Sequence, residues 1–297
     1  MTAFETSLNT TTPTDSGHRF DAGRRWEASL DLVFASRADV TRLVHARHHG
    51  PLRVQRPFYP EGGQGACHVY LLHPPGGLVS GDALSIDVGV EKGAHALLTT
   101  PAANKLYRAD SHGVSSHQQA SLRVEESAIL EWLPQEAIAF DGARVEQATT
   151  LALAGSARCL GWEVLALGRP ANSLPYVSGR IDQRFRLTRD GKPLWIERQP
   201  LDPAHPRFRG RWGQGGATVQ GTLWAVGLAD EREAVEALRE ALGASNRWAV
   251  TLRHGVLLLR YLGQECREAW GLCEAAWRVL RPRLMGLEAH PPRIWRT

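Results

Sequence analysis

The sequence predicts a mainly β protein with two α-helices near its C-terminus. The 297 residues include Gly 29 and Pro 17, a share somewhat above the average, which favours short elements joined by turns. Apolar and polar residues alternate in short runs at roughly ten-residue intervals, the pattern of half-buried strands. In the last quarter of the chain the apolar residues instead follow a helical spacing. Together these observations exclude long helical bundles and coiled coils.

The first predicted strand begins near Trp26 and continues to Phe34, with apolar residues at every second position. Asp190-Gly191 separates two later runs and predicts a hairpin. Regular strands with turns between them indicate an antiparallel domain, and no βαβ alternation or internal repeat of roughly 20–50 residues is apparent. Further strand-like runs cover residues 84–90, 120–124, 185–187 and 194–196.

Two helices follow the strand-rich part. Asp230 begins a capping-box pattern, and Gly243 is placed to end the helix that follows it. A β segment is predicted over residues 248–262. The second helix is predicted over residues 265–281, with an apolar side rich in Trp, Ala and Cys, and with Pro282 as its stop.

Composition and the first residues of the chain limit the class of protein to which it can belong. We expect residues 1–23 to be a disordered tail and residues 24–297 to form one domain, with a β-rich body to about residue 228 and a helix-strand-helix region over residues 229–297. No run of about 18 apolar residues predicts a membrane helix, and no secretory signal is apparent. Four cysteines without a disulfide framework favour a cytoplasmic protein. A net charge of +4 does not by itself indicate nucleic acid.

The histidines and cysteines do not form a recognisable metal motif. An H-x-x-H-H pattern ends at His49, His68 follows Cys67, and His73 precedes a Pro-Pro-Gly-Gly turn. Imidazole and thiolate suit zinc, nickel or copper. The spacing matches no closed zinc site or HExxH motif, and neighbours on a strand point to opposite faces. Ordinary surface and core positions are therefore the favoured interpretation of each.

The acidic residues are better placed for chemistry. Glu131, Glu136 and Asp141 surround an apolar stretch with Trp and Phe, Asp82 follows a glycine-rich turn, and Glu163 stands inside an apolar run. Such carboxylates could be the general acid and base of a glycoside hydrolase. They could equally line a polar passage for a cation, or simply face solvent on half-buried strands. Spacing alone leaves these alternatives open.

A basic and aromatic run covers residues 207–212, with sequence RFRGRW. Arginine and aromatic side chains in alternation could stack on single-stranded RNA. One short run is more commonly a solvated loop. The sequence also lacks a phosphate-binding loop and a G-x-S-x-G nucleophile elbow.

Several segments, taken together and in order, resemble the urease accessory protein D family, also called UreD or UreH. The most specific are GPLRVQRPFYPE at residues 50–61 and CHVYLLHPPGGLVSGD at residues 67–82. The resemblance extends from about Trp26 to Trp295. The other matching segments are TPAANKLYR at 100–108, EWLPQE at 131–136, FDGA at 140–143, LGR at 167–169 and PRIW at 292–295.

The resemblance implies a maturation chaperone without a catalytic reaction of its own. Such a protein binds the urease apoenzyme directly, binds accessory protein F directly, and recruits the GTPase accessory protein G through F. It implies no nucleic-acid or membrane partner and no permanently bound cofactor, but transient Ni²⁺. The family fold is a β-rich body of strands wound into layers like a helix, with two α-helices near the C-terminus.

The resemblance also implies an internal, water-filled nickel passage and candidate residues along it. The family motifs map onto Asp82, Glu163 and Asn104, and relatives can have Ser at the position of Asn104. Glu136 and Asp141 lie in matching segments. Isolated carboxylates with water would let nickel move without trapping it.

His68 and His73 are expected to make at most transient contacts with nickel. Ten tryptophans predict more apolar surface than a monomer needs, and we expect accessory protein F to dock at the Trp-rich C-terminal end.

Overall fold

Two β-sheets and a layer of helices build the protein. A computed structural model describes residues 25–63, 65–169 and 172–296, so the predicted tail over residues 1–23 lies outside the described residues. The strands within the described ranges form one sheet of seven strands and one of twelve. The prediction of a mainly β fold with two helices near the C-terminus is confirmed.

The first sheet contains β1 (Trp26–Arg37), β2 (Val40–His49), β6 (Asp82–Val90), β9 (Ser116–Val124), β12 (Arg144–Leu153), β15 (Arg180–Arg189) and β16 (Lys192–Leu201). The second sheet contains β3 (Arg53–Val54), β4 (Cys67–Leu72), β5 (Gly77–Leu78), β7 (His95–Thr99), β8 (Asn104–Leu106), β10 (Ile129–Leu133), β11 (Ala137–Ala139), β13 (Arg158–Arg169), β14 (Leu174–Pro175), β17 (Val219–Val226), β18 (Trp248–Arg253) and β19 (Val256–Gly263). The helices are α1 (Pro206–Arg209), α2 (Glu231–Leu242), α3 (Cys266–Met285) and a 3₁₀ turn (Arg293–Arg296).

The chain winds between the two sheets. From β6 to β15 the main strands alternate between the first and second sheet, and within each sheet they pair in parallel. Leu84, Gln118, Gln147 and Gln183 are consequently neighbours in register on four successive strands of the first sheet. One turn of this coil takes roughly thirty residues, like a solenoid repeat.

The expectation of an antiparallel domain was therefore wrong for the centre of both sheets, and the structure contains a repeat that the sequence did not reveal. Strand spacing does not distinguish a hairpin, which keeps the chain in one sheet, from a turn that crosses to the other sheet. The predicted hairpin is nevertheless confirmed, because Asp190 and Gly191 join β15 to antiparallel β16 with φ of 50° and 75°. Positive φ at both central residues is the geometry of a type I′ turn.

The C-terminal helices begin largely where predicted, but the second ends later. Asp230 caps α2 by accepting hydrogen bonds from two backbone N–H groups, and Gly243 follows its last residue with φ 72°. The expected stop at Pro282 was wrong: α3 continues to Met285 and ends at Gly286, which is left-handed. Pro282 removes one backbone hydrogen bond, but its fixed φ is compatible with a helix, and Gly286 N donates to Pro282 O at 2.9 Å in the last turn.

Two apolar cores separate the layers. One lies between the sheets, and the other lies between the second sheet and helices α2 and α3. Helix α3 contributes fully buried Trp277 to the second core. No helix among the described residues is long and apolar enough to cross a membrane.

Candidate functional site

A cavity lined by both apolar and polar side chains interrupts the core between the two sheets. It has a volume of about 160 Å³, and a second cavity of about 40 Å³ lies further along the coil. Glu163 on β13 and Gln183 on β15 line both cavities. Because the two cavities share these residues, Glu163 and Gln183 mark the junction between them.

Glu163 is a carboxyl group in a poorly solvated position. Burial raises its pKa from the usual 4.5 to about 7, and the nearby charge of Glu197 adds to the rise. The Thr149 hydroxyl on β12 opposes this by donating a hydrogen bond of 2.5 Å to Glu163 Oε1. Near neutral pH both the protonated and the ionised form of this carboxyl group are therefore populated.

Side-chain amides form a continuous hydrogen-bonded ladder along the interior. Gln147 Nε2 donates to Gln118 Oε1 at 3.3 Å, and Gln183 Nε2 donates to Gln147 Oε1 at 3.1 Å. Gln220 Nε2 then donates to Gln183 Oε1 at 2.7 Å. The whole set, which we call the amide ladder, comprises Asn104, Gln118, Gln147, Gln183, Gln199, Gln214 and Gln220.

The ladder follows from the coil. Gln118, Gln147 and Gln183 occupy the same register on neighbouring parallel strands, so their side chains point the same way and meet. Each stands four residues before an inward-facing leucine, which fixes it on the inner face of the first sheet. This Gln-x-x-x-Leu pattern is a signal that the sequence reasoning missed.

The far end of the ladder is charged. Gln199 Nε2 donates to Glu197 Oε1 at 2.5 Å, and Arg260 on β19 contacts both oxygens of Glu197 at 2.7 and 2.5 Å. Burial works to raise the pKa of Glu197, but Arg260 and its hydrogen bonds hold it below the ordinary value. Glu197 is thus a fixed anion with its own counter-ion, whereas no arginine or lysine pairs with Glu163 among the described residues.

Asn104 and His73 also line the larger cavity. Asn104 Nδ2 donates to Gln118 Oε1 at 2.8 Å, which makes it the first member of the ladder. His73 Nδ1 is buried without a hydrogen-bond partner among the described residues. Burial lowers the pKa of His73, with Asp82 opposing. The structure therefore brings together Glu163, Asn104 and His73 among the residues chosen from sequence.

The remaining candidates line neither cavity. Asp82 accepts a hydrogen bond from Val79 N at 2.8 Å and stabilises the glycine-rich turn. Asp141 accepts from the backbone N–H groups of Val177 and Ser178 at 3.0 and 2.8 Å, and these bonds with Arg108 hold its pKa below the usual value against burial. Both carboxylates brace loops.

Glu136 and His68 also point elsewhere. The Glu136 side chain lies beside Cys266 of α3, while its backbone carbonyl accepts from Asn104 N at 2.9 Å. His68 Nε2 contacts Glu61 Oε1 at 2.8 Å, and the His68 side chain is fully buried.

That contact belongs to a buried ionic network between the second sheet and α3. Arg281 is fully buried and donates to Glu131 at 3.0 to 3.1 Å and to Glu61 at 2.8 to 2.9 Å. Burial opposes ionisation of Glu131, but His95 and Arg281 lower its pKa from 4.5 to about 2. Among the described residues the network supplies no metal cage, since no three His, Cys, Asp or Glu side chains are grouped to hold an ion.

The geometry does not support the hydrolase alternative. Glu131 is buried in the ionic network, where Trp277 Nε1 also donates to it at 2.6 Å. Asp141 is tied to the loop at Ser178, and Glu136 lies beside Cys266. These three carboxyl groups have separate surroundings, so they cannot act on one bond as acid and base.

Comparison with known proteins gives a consistent result over nearly the whole chain. The family model described as UreD urease accessory protein matches residues 27–296. The chain is 67% identical over 287 residues to a urease accessory protein UreD of Marinobacter nauticus, covering 95% of this chain and 96% of the relative. It is 66% identical over 289 residues to that of Chromohalobacter salexigens (95% and 92%), and 44% identical over 286 residues to that of Hahella chejuensis (92% and 91%).

Proposed function

Because the chain belongs to the UreD family of urease accessory proteins, we propose that it is a non-enzymatic chaperone that helps nickel enter the urease apoenzyme. In this proposal it acts in the cytoplasm, binds the apoenzyme and accessory protein F, and recruits the GTPase accessory protein G through F. Nickel is its cargo. The observation that carries the proposal is the pair of cavities that share the carboxyl group of Glu163, with which no arginine or lysine among the described residues pairs.

The donors in this interior suit a cargo that must leave again. Amide and carboxyl oxygens replace part of a hydration shell, but they bind nickel less strongly than a cage of imidazoles and thiolates. The amide ladder is neutral, so it solvates a cation without adding a strong electrostatic trap. Glu163 supplies a charge at the junction that no arginine or lysine among the described residues neutralises by a hydrogen bond or ion pair.

Proton exchange at Glu163 would accompany transit. A cation that arrives at the junction takes the place of the carboxyl proton, which passes to water in the cavity, and the freed oxygen binds the cation. When the cation moves on, the carboxylate takes up a proton again. With a pKa of about 7, either direction costs little free energy at neutral pH.

Reconstitution tests the function. Urease apoenzyme, accessory proteins F and G, GTP and Ni²⁺ are incubated with and without this chain, and urease activity and bound nickel are measured. We expect both to depend on the chain. Equal activity and equal nickel content without it would refute the proposal.

A further inference from the structure

The segment of residues 205–216, which we call the arginine loop, carries arginine and tryptophan side chains on the protein surface. It contains the basic and aromatic run noted in the sequence, and it begins with the single helical turn α1, capped by His205. Two of its side chains turn inward. Phe208 packs on the core between the sheets, and Gln214 is buried as the last member of the amide ladder, 2.6 Å from Gln220.

Backbone hydrogen bonds hold the arginine loop in one shape. Gly213 N donates to Gly210 O at 2.9 Å, and Gln214 N donates to Phe208 O at 2.9 Å. A Cβ atom on Gly213 would lie 1.9 Å from the carbonyl oxygen of Arg207, so only glycine fits there. A loop fixed in this way loses little conformational entropy when it binds a partner.

The outward side chains of the arginine loop are aromatic and cationic. Trp212 is 95% exposed, with the Arg211 guanidinium 5.8 Å from its ring centre. Arg207 and Arg209 are also exposed, and none of these three arginines forms an ion pair within the described residues. The sequence has no acidic residue between Asp202 and Asp230 to neutralise them.

The tryptophans near the C-terminus are less available for docking than their number suggests, because they pack on one another. Trp295 has ring centres at 4.8 Å from Trp270, 5.5 Å from Trp277 and 5.7 Å from Trp162. Among the described residues, the tryptophans with mostly exposed side chains are Trp212 and Trp26. The most exposed tryptophan therefore lies in the arginine loop and not in the C-terminal tryptophan cluster.

We propose that the arginine loop docks on an acidic surface of the urease apoenzyme, with Trp212 inserted in an apolar pocket there. Tryptophan and arginine are among the side chains most enriched among residues that dominate binding energy. Gln214 places the loop at one end of the ladder, and three exposed arginines without ion pairs among the described residues complement a partner surface rich in carboxylates. The choice of the apoenzyme as partner rests on the proposed function.

Charge-reversal and truncation variants test the docking surface. The full chain and its variants are co-purified with accessory protein F, and their affinity for immobilised urease apoenzyme is measured at low and high salt. We expect Trp212→Ala to weaken binding about tenfold or more. Arg209→Glu with Arg211→Glu should weaken it about tenfold at low salt and less at high salt. Trp26→Ala, which removes the other exposed tryptophan, should change nothing.

The outcomes separate this inference from the proposed function. If the wild-type chain binds the apoenzyme and the arginine-loop variants bind equally well, the inference is wrong while the proposed function stands. If the variants lose affinity for accessory protein F and keep their affinity for the apoenzyme, the assigned partner is wrong. The inference would also be overturned if the wild type bound single-stranded RNA tightly and Trp212→Ala abolished that binding. If the wild type binds no apoenzyme, the inference and the proposed function fall together.

Discussion

Replacing Glu163 with glutamine should stabilise the protein and impair its function. A pKa of about 7 in place of 4.5 means that the folded state favours the protonated carboxyl group. One pKa unit corresponds to about 1.4 kcal/mol, so keeping the ionised form in place costs roughly 3 kcal/mol at pH 8. The glutamine side chain of the variant would be neutral at every pH, and its carbonyl oxygen can still accept the hydrogen bond from Thr149.

The sign of the pH dependence follows from proton binding. Between pH 4.5 and about 7 the folded state holds a proton at Glu163 that the unfolded state has released, so the free energy of unfolding falls as the pH rises through this window. Glu163→Gln removes that fall. Near pH 4.5 we therefore expect ionisation of Glu163 to contribute little to the difference in free energy of unfolding between the variant and the wild type. By pH 8 the free energy of unfolding of the variant should exceed that of the wild type by about 3 kcal/mol from this cause.

Urea unfolding of the wild type and Glu163→Gln at pH 5, 6, 7 and 8 measures this difference. Glu240→Gln, on the exposed face of α2, controls for loss of a carboxyl group, and its difference from wild type should change little with pH. A gap between Glu163→Gln and wild type that is the same at pH 5 and pH 8 would show that this carboxyl group is not held protonated by the fold. A gain in stability with a loss of urease activation is the trade-off expected of a functional buried group.

Other predictions concern the ionic network and the amide ladder. Arg281→Met leaves two buried carboxylates without their cation and should cost about 3–5 kcal/mol in urea unfolding, whereas Arg278→Met, on the solvent side of the same helix, should cost less than about 1 kcal/mol. Gln183→Leu leaves neighbouring ladder amides unpaired and should cost about 1–3 kcal/mol and lower urease activation, while Gln119→Leu, exposed on the opposite face of β9, should do neither. Because Glu131 has its pKa lowered to about 2, it contributes stability that is present above pH 4.5 and is lost as the pH falls towards 2. An acid titration followed by circular dichroism should show that loss in the wild type.

Local patterns in the sequence predicted the strands and their buried faces more successfully than they predicted the sheet topology. The alternation from Ala28 to Phe34 matches the buried face of β1, although Trp26, at the start of the strand, is 76% exposed. Capping at Asp230 and the turn at Gly191 were also readable, because each depends on a few adjacent residues. The parallel coil was not readable, since it depends on which sheet each turn leads to.

The candidate site was only partly predictable for the same reason. Glu163 stood out as a carboxyl group in an apolar run, and it does line both cavities. Asp82 stood out equally, but its position after a glycine-rich turn reflects a turn hydrogen bond to Val79. A single glutamine in a sequence does not indicate a functional site. Gln118 and Gln147 are identified as part of one only because the coil places them in register on neighbouring strands.

Nickel delivery through the junction is the central claim, and the metal content of urease tests it most directly. Apoenzyme is matured with complexes that contain either the wild-type chain or Glu163→Gln, both shown to bind accessory protein F and the apoenzyme equally, and nickel per urease active site is measured. If nickel passes Glu163, the nickel content should be severalfold lower with Glu163→Gln. Equal nickel content at equal complex formation would contradict delivery through this junction.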